Sequence, residues 1–510
     1  MTELTASLAA SLQAPNPLAR VIPRDAHSVS RSKISPNALR VLYKLKEAGF
    51  QGFLVGGCVR DLLIGIEPKD FDVATNALPD EVRRLFRNCR LVGRRFRLAH
   101  VFFGREIIEV ATFRAGSAPP PGAEPVDERD ADVDDDTVED EEAENAGAEL
   151  PAVSEVRPED DGARVVDAEG RILRDNSYGT IDDDVWRRDF TANALYYNIA
   201  DFSIWDFTGG AEDIAARRLR LIGDPDTRFR EDPVRMLRAA RFVAKLGFEL
   251  DPATAAAMDG LQPLLASVPP ARLFDETLKL FLTGHGVASL GVLRRCGLLG
   301  ALLPSVEAVL TRAPGSAIER LLDIALANSD ARVRADRPVT PTFLFAVLMY
   351  GPIGAAIERA PPQRWHDIAT IVDAVDRVFR DLSRSVAVPR RFSLGVREMY
   401  AFQPRLEQPR GRRALRLIEQ PRFRAAYDLL LLRADAGLAP RATADWWTRL
   451  QSASPEERVA MADAVGRGTG GAAPSSAGSG DDVAAGAEVV APRRRRRRGG
   501  RGRGTPAAPA

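Results

Sequence analysis

The spacing of apolar residues predicts short helices and strands near the start of the chain. Residues 36–49 place apolar side chains at helical intervals between a proline and a glycine, which predicts a helix. The apolar run FLVGG at 53–57 predicts a strand, and CVRDLLIG at 58–65 resumes helical spacing. KDFDVAT at 69–75 predicts a second strand. Together these segments indicate a small mixed α/β unit.

The next segment extends this unit by one helix and three strands. PDEVRRLF, at 79–86, begins at a proline and has helical spacing. Three runs then predict strands, and the last two are expected to join at Gly104 as a hairpin: CRLVGRR, RLAHVFF and REIIEVATF.

Helical spacing dominates the rest of the chain. RRDFTANALYY, at 187–197, predicts a helix with Arg188 and Asp189 near its start and Asn193 about one turn later. From about residue 210 to 460 nearly every segment has helical spacing with Gly or Pro breaks, and no repeat of fixed period is present. We therefore predict an α+β fold, with a small mixed sheet first and an all-α part after it.

Two tracts of opposite charge interrupt this pattern. The 71 basic and 71 acidic residues balance, but residues 124–144 contain thirteen acids and one arginine, and residues 491–510 contain eight arginines and no acid. The acidic tract lies in an Ala-, Pro- and Gly-rich segment, 117–170, and the arginines follow a Gly-rich linker; both compositions predict disorder. The remainder is mildly basic, which permits nucleic-acid binding without requiring it.

The scattered cysteines and histidines exclude several kinds of protein. Cys58, Cys89 and Cys296 are too few for a disulfide framework, and the four histidines show no zinc spacing. The N-terminus lacks the features of a signal peptide. The strongest apolar run, 341–357, is interrupted at Gly351 and Pro352 and is too short to span a membrane. We expect a cytoplasmic protein that does not bind a membrane.

The first candidate chemistry is a pair of carboxylates, Asp70 and Asp72. If both lie on one strand, they point to the same face, where a bound cation would offset their repulsion. Carboxylates and substrate oxygens suit Mg²⁺, and Glu109 supplies a third carboxylate if its strand pairs beside the first. Three such groups can hold two metal ions for phosphoryl transfer. The alternative is an exposed strand edge whose charges are merely solvated.

A glycine pair, Gly56 and Gly57, precedes these carboxylates. Between a strand and a helix, backbone without Cβ can approach a phosphate. A diglycine is also an ordinary tight turn, and Arg60 could simply pair with Asp61. The order of glycine turn, carboxylate pair and distant carboxylate strand nevertheless indicates metal-dependent phosphoryl transfer.

Four stretches in this order resemble a class II nucleotidyltransferase of the poly(A) polymerase and CCA-adding superfamily. They are LVGGCVRDLLIGIEPKDFDVATNA, EVATFR, RRDFTANALYY and EDPVRMLRAARFVAKLGFEL. The resemblance covers roughly residues 20–450. It implies a flexible N-terminus (1–30), a catalytic head (31–210), a helical neck (211–290), a helical RNA-binding body (291–460) and an arginine-rich tail (461–510).

The resemblance also implies roles for individual residues. The metal carboxylates would be Asp70, Asp72 and Glu109, with Asp70 and Asp72 as the principal ligands of two Mg²⁺ ions, or of Mn²⁺. The residues implied to bind ATP as substrate are Gly56, Gly57, Arg60, Arg187, Arg188, Asp189 and Asn193. From the residues alone, the helix carrying the last four could equally be stabilised by local ion pairs.

The spacing of Asp232, Arg235 and Arg238 predicts one polar helix face. A carboxylate can accept from a base amino group and a guanidinium can donate to a ring nitrogen or carbonyl, so this face could read a base without a template. The alternative is an ion pair within the helix. The resemblance implies that the first acid and arginine, Asp232 and Arg235, select the nucleotide.

The choice between the two activities of the superfamily depends on LVGRRFRLAHV, at 91–101. This stretch resembles one that marks bacterial poly(A) polymerases, whereas by itself it could be a hairpin with a solvated basic face. VPPARLFDETLKLFL, PTFLFAVLMY and PRFRAAYDLLLLRA favour the same branch. We therefore expect template-independent addition of AMP from ATP to RNA 3′ ends. The alternatives are a CCA-adding tRNA nucleotidyltransferase and a non-catalytic RNA-binding scaffold.

The basic segments are the expected RNA contacts, and we expect a monomer. Flexible arginines can displace counterions from RNA phosphates whatever the sequence. The acidic insert leaves and rejoins the chain near the candidate site, so we expect it to compete with RNA, although it could equally be a neutral solvated loop. The residues expected to bind RNA are Arg94, Arg95, Arg493, Arg494, Arg495, Arg496, Arg497 and Arg498.

Overall fold

A computed structural model describes residues 19–93, 97–115, 165–166, 172–174 and 178–468. The sheet is built from β1 to β6 and from β9 and β10, and two short two-stranded pairs complete the strands. The strands are β1 (Arg20–Ile22), β2 (Gly52–Val55), β3 (Asp72–Thr75), β4 (Cys89–Val92), β5 (Leu98–Phe103), β6 (Glu106–Thr112), β7 (Val165–Val166), β8 (Ile172–Arg174), β9 (Leu195–Asn198), β10 (Ile204–Asp206), β11 (Arg218–Leu219) and β12 (Glu249–Leu250).

Helices make up most of the remaining structure. They are α1 (Pro36–Glu47), α2 (Gly57–Leu63), α3 (Pro79–Leu85), α4 (Ile181–Arg187), α5 (Gly210–Ala215), α6 (Pro225–Glu231), α7 (Val234–Leu246), α8 (Pro252–Met258), α9 (Pro270–Phe281), α10 (Gly286–Arg295), α11 (Leu298–Leu302), α12 (Pro304–Arg312), α13 (Ala317–Arg334), α14 (Pro341–Leu348), α15 (Tyr350–Ile357), α16 (Ile368–Leu382), α17 (Arg390–Glu407), α18 (Arg413–Ile418), α19 (Phe423–Asp435), α20 (Arg441–Ser452) and α21 (Pro455–Gly468). The predicted α+β class, with a mixed sheet followed by a helical part, is confirmed.

The order of strands in the main sheet places Asp72 and Glu109 on two neighbouring strands in its interior. The order is β1-β10-β9-β2-β3-β6-β5-β4, with β3 and β6 parallel and the other neighbours antiparallel. Strands β5 and β6 form the predicted hairpin, with Gly104 at a φ of 69° in its turn. Asp72 lies directly opposite Glu109, and Glu109 lies opposite His100 on β5.

The two faces of the sheet bury different cores. On one face, Leu54, Val73 and Val110 join α1 in a large apolar cluster that continues into the helical part. On the other face, Phe53, Val55 and Tyr196 pack with α4 in a smaller cluster. Because directly paired residues share a face, Asp72, Glu109 and His100 project from the same side as this smaller cluster. The smaller cluster therefore covers one part of that face, and the carboxylates of Asp72 and Glu109 lie at the edge of the cluster.

Two element predictions were wrong. RRDFTANALYY is not a helix, since α4 ends at Arg187, a 3-10 turn covers Thr191–Asn193, and LYYN forms β9. Strand β9 is buried along its whole length between β2 and β10, so its apolar run carried no alternation to identify it. The expected break at Gly351 and Pro352 lies instead at Met349, and Pro352 fits into the first turn of α15.

Among the described residues, no helix is both long enough and apolar enough to cross a bilayer.

Candidate active site

The glycine turn between β2 and α2 lies against two of the charged residues. Gly56 has a φ of 74° and a ψ of −136°, a conformation that side chains with a Cβ rarely adopt. A Cβ built there would lie 3.7 Å from Arg188 Nη1 and 3.9 Å from Asp72 Oδ2. The turn therefore lies beside both a guanidinium and a carboxylate, and its backbone is open where a side chain would stand.

The carboxylates come from two neighbouring strands and the loop before one of them. Asp72 begins β3, and Asp70 precedes that strand, so the strand-face argument applies to Asp72 and not to Asp70. Phe71 is buried while both aspartates are exposed. Glu109 lies opposite Asp72, as expected if β6 pairs beside β3. Like charges placed directly opposite each other destabilise a sheet, so this pair favours a bound cation.

His100 extends this row of polar residues along the sheet. Its side chain is largely buried, and its Nε2 lies 3.7 Å from Glu109 Oε2. That nitrogen makes no hydrogen bond within the part of the chain that the structure describes. His100 therefore borders the outer side of the Glu109 carboxylate, a contact that the sequence did not indicate.

Asp184 on α4 holds two of the predicted nucleotide ligands. Its Oδ1 accepts two hydrogen bonds from Arg187, at 2.9 and 2.7 Å, and its Oδ2 accepts from Arg188 and from the Tyr196 hydroxyl, which donates at 2.7 Å. Burial would raise the pKa of this carboxyl, but the charges of Arg188 and Arg187 outweigh it and hold the pKa well below its usual range. Asp184 thus fixes the arginine that faces Gly56.

A second set of polar contacts links α2 to α7. Asp189 accepts a forked pair from Arg238, at 2.9 and 2.7 Å, and its other oxygen accepts from Asn193 at 3.3 Å. Asn193 Oδ1 accepts from Arg60, which also donates to Asp61 at 2.9 and 2.7 Å. The local pairing of Arg60 with Asp61, left open by the sequence, is therefore present. Arg60 is buried, and its guanidinium already donates to Asn193 and Asp61. A ligand could therefore bind only those N–H groups of Arg60 that these two residues do not occupy.

The predicted base-reading face is arranged differently from the expectation. Asp232 lies before α7, which begins at Val234, so it does not share a helix face with Arg235 and Arg238. Its partner is Arg272 on α9, which donates to Oδ1 and Oδ2, both at 2.8 Å. Arg235 instead donates to Glu231 and to the Arg228 carbonyl. The alternative of an ion pair between Asp232 and Arg235 is not what the structure shows.

The remaining predicted residues lie on the β4–β5 hairpin or outside the described ranges. The stretch 91–101 forms the β4–β5 hairpin in its described residues, with Val92 opposite Leu98. The predicted RNA contacts Arg94, Arg95 and Arg493 to Arg498 lie outside the described residues. The acidic tract 124–144 also lies outside them, and of the segment 117–170, predicted to be disordered, only Val165 and Val166 are described, as strand β7. Sequence reasoning missed five residues that contact the site, because their partners lie far away in the chain or one helical turn or hairpin away. They are Asp184, Tyr196, Arg228, Arg272 and His100.

Protein side chains alone form no metal site within the described ranges, since no group of three or more His, Cys, Asp or Glu residues there could hold a metal ion. Mg²⁺ is usually bound by one or two carboxylates together with substrate phosphates and waters. The adjacent carboxylates of Asp72 and Glu109 fit such a shared site, in which a triphosphate completes the ligands.

Sequence comparison places this site in a known family. A family model described as the poly A polymerase head domain matches residues 52–220. Models described as a probable RNA- and SrmB-binding site of polymerase A and as the polymerase A arginine-rich C-terminus match 247–310 and 363–501. The Poly(A) polymerase I of Salmonella typhi is 43% identical over 446 residues, which are 86% of this chain and 88% of that protein. That of Haemophilus influenzae is 42% identical over 435 residues, 84% and 87% of the two chains.

More distant relatives share only part of the chain or only the fold. The CCA-adding enzyme of Bacillus pumilus is 34% identical over 244 residues, 48% of this chain and 49% of its own. A solved tRNA-processing enzyme in an apo form is 19% identical, covers 86% of this chain and 99% of its own, and has a TM-score of 0.51. The likeness to this structure shows the fold alone.

The sheet, its carboxylate row and these comparisons define a nucleotidyltransferase. Within that class, the chain belongs to the poly(A) polymerase family, the branch that the stretch LVGRRFRLAHV favoured.

Proposed function

We propose that this chain adds AMP from ATP to RNA 3′ ends without a template, at the border of the sheet where Asp72 meets Glu109. Membership of the poly(A) polymerase family supports the activity, and the register of β3 and β6 supports the place. In this reaction the RNA 3′-hydroxyl attacks the α-phosphorus of ATP, a new phosphodiester bond forms, and pyrophosphate leaves. The direct pairing of Asp72 with Glu109 is the observation that carries the proposal.

Asp70, Asp72 and Glu109 are the residues that would hold divalent ions, Mg²⁺ or Mn²⁺, together with the triphosphate. Ions of this kind polarise phosphoryl oxygens and neutralise the charge that develops on the leaving pyrophosphate. Exposure of both aspartates leaves their oxygens accessible from solvent.

The neighbouring residues would bind and orient the triphosphate. Arg188 Nη1 faces the open backbone of Gly56, and Asp184 and Tyr196 fix the other end of its guanidinium. A guanidinium held in one orientation loses little entropy when it binds an anion. Arg188 is therefore proposed as the main phosphate contact, and Arg187, Asp189 and Asn193 as residues that shape the pocket around the nucleotide.

Selection of adenine is proposed for Asp232. A carboxylate offers about four lone-pair directions, so the two bonds from Arg272 and the one from the Val234 backbone N–H leave Asp232 one direction in which to accept from a base amino group. Arg272 would then set the direction from which the base is accepted. In contrast to the sequence-based proposal, Arg235 would act through Glu231 and Arg228.

A nucleotide-incorporation assay tests this proposal directly. The purified chain is incubated with a short RNA primer, each of the four NTPs in turn, and Mg²⁺. We expect ATP to be added preferentially, and the Asp72→Ala and Glu109→Ala variants to lose incorporation while they still bind RNA. Glu67→Ala provides the matched control, because Glu67 is an exposed carboxylate in the loop that leads to Asp70. Full activity of the Asp72→Ala variant would refute the proposed site.

The same assay decides the alternative activity. A tRNA that lacks its terminus is offered with CTP and ATP. Preferential addition of CTP to this tRNA would identify a CCA-adding enzyme, whereas absence of incorporation with every substrate would favour an RNA-binding scaffold.

A further inference from the structure

A cluster of arginines lies in the helical part of the chain, in elements other than those that carry the sheet and its carboxylates. A cavity of about 470 Å³ is bordered by the end of α17, the loop after it and α18. Four arginines line it, and its other lining residues include no carboxylate. The arginines are Arg405, Arg410, Arg413 and Arg416.

The charges of these arginines are only weakly compensated within the protein. All four are exposed. Arg405, Arg413 and Arg416 make no ion pair with any residue in the described ranges, and Arg410 donates only to Gln408 Oε1, at 3.4 Å. Like charges that converge on one concave surface attract a polyanion and concentrate it there. Guanidinium groups bind phosphate with two hydrogen bonds at a time, so phosphates are the ligands that fit this cavity.

A smaller cavity with three aromatic rings in its wall adjoins the first. It has a volume of about 130 Å³, and Tyr350, Trp365 and Tyr400 line it together with the ion pair of Arg433 and Glu407. His366 and Pro404 line both cavities, so the two share a wall.

The rings of the smaller cavity are held in place. Tyr350 accepts a hydrogen bond from Arg433 at 3.0 Å, and the Trp365 indole donates to the Ala360 carbonyl at 2.8 Å. Trp365 is 37% exposed, so part of its ring is free for a ligand. Gly354 also lines this cavity, and a Cβ built there would meet nothing within 4 Å. The missing side chain thus leaves room beside the rings.

We propose that these two cavities bind one stretch of single-stranded RNA, with a base against the aromatic rings and the phosphates among the arginines. Stacking on aromatic side chains next to a cationic groove is how proteins bind single strands without reading their sequence. The choice of RNA rests on the proposed function. Free nucleotides offer the same base and phosphate chemistry, and the experiment separates the two sources.

Two variants probe the two cavities separately. In the double variant Arg413→Glu with Arg416→Glu, two exposed cations are reversed. Gly354→Leu places a side chain in the aromatic cavity without removing any contact. The matched control is Arg312→Glu, because Arg312 is exposed at the end of α12 and lines neither cavity.

Affinity for a fluorescent single-stranded oligoadenylate is measured by anisotropy in EDTA over a series of salt concentrations. The arginine variant should bind at least about ten-fold more weakly, and the slope of log affinity against log salt should fall by about 1.4, because two phosphate contacts are lost. Gly354→Leu should bind about five-fold more weakly with an unchanged slope, because stacking is not a charge interaction. Arg312→Glu should match the unaltered chain.

Several outcomes would overturn the assignment. Affinities of both variants equal to that of Arg312→Glu would do so, and so would a loss of affinity for free ATP or AMP, measured in the same buffer, with RNA affinity unchanged. Circular dichroism checks folding, and Gly354→Leu keeps the test informative if the charge reversals unfold the chain. Since binding is measured without metal or turnover, failure here is distinct from failure of the proposed function, which would show as absent incorporation by the unaltered chain.

Discussion

Arg272 and Asp232, forty residues apart, form a buried ion pair in which each guanidinium Nη donates to a different carboxylate oxygen at 2.8 Å. The pair joins α9 to the segment between α6 and α7. It also gives a single orientation to the carboxylate proposed to select adenine. Stability and nucleotide choice are therefore expected to depend on the same two side chains.

Replacement of Arg272 by methionine should separate these effects. The change leaves the buried Asp232 carboxylate without its cation, and we expect the free energy of unfolding to fall by about 3–5 kcal/mol. Urea denaturation measures the loss. The double variant Arg272→Met with Asp232→Asn should recover part of it, because no buried charge remains. If the cost of the double change equals the sum of the costs of Arg272→Met and Asp232→Asn, the two side chains do not interact and the pair is not what stabilises this junction.

Asp184 is expected to make stability depend on pH. Its folded pKa lies well below its ordinary value of 3.8, so its contribution to stability is complete above that value and is lost as pH falls toward the folded pKa. Asp184→Asn should therefore be less stable than the unaltered chain at pH 7, by about 3–5 kcal/mol. The difference should shrink below about pH 4.

Thermal melts of both proteins between pH 3 and pH 8 would measure this difference. Asp226→Asn is a suitable control, since Asp226 makes an exposed pair with Arg230 and should show little change. A difference between Asp184→Asn and the unaltered chain that stays constant down to pH 3 would contradict the assignment.

The part of the site that is built from residues close together in the sequence could be predicted from the sequence. The order of β3, the hairpin and Glu109 followed from alternation and turn residues, and the pairing of β6 beside β3 then brought Glu109 to Asp72. Those signals are local, or need only one strand pairing. They also sufficed for the helical part, where amphipathic spacing persists.

The missed contacts depend on distant parts of the chain. Nothing in the sequence near Asp232 indicates that Arg272 would be its partner, because only the packing of α9 beside α7 brings them together. Strand β9 was mistaken for helix because it is buried on both faces and so has no polar side to show a period of two. Asp184 was overlooked among three successive aspartates, of which only it is buried against Arg187 and Arg188.

The glycine turn offers a test that separates backbone strain from contact with the site. Gly56→Ala should cost about 1–3 kcal/mol of stability because of its positive φ, and should raise the KM for ATP, because the new methyl group would lie beside Arg188 and Asp72. Gly104→Ala is the matched control, with a φ of 69° and nothing within 4 Å of its added Cβ. It should lose similar stability with no change in KM. Equal KM values for the two variants would exclude Gly56 from the nucleotide site.

Cys58 should be chemically silent in the folded protein although it lies close to the carboxylates. Burial, and then the charge of Asp72, raises the pKa of its thiol to about 12, so only about one molecule in ten thousand carries the thiolate at pH 8. Cys296 is only partly buried and should be alkylated first. Iodoacetamide labelling followed by mass spectrometry measures the order, and urea should make Cys58 as reactive as Cys296. Rapid labelling of Cys58 in the folded chain would mean that the β2–α2 turn opens to solvent and does not stay beside Arg188 and Asp72.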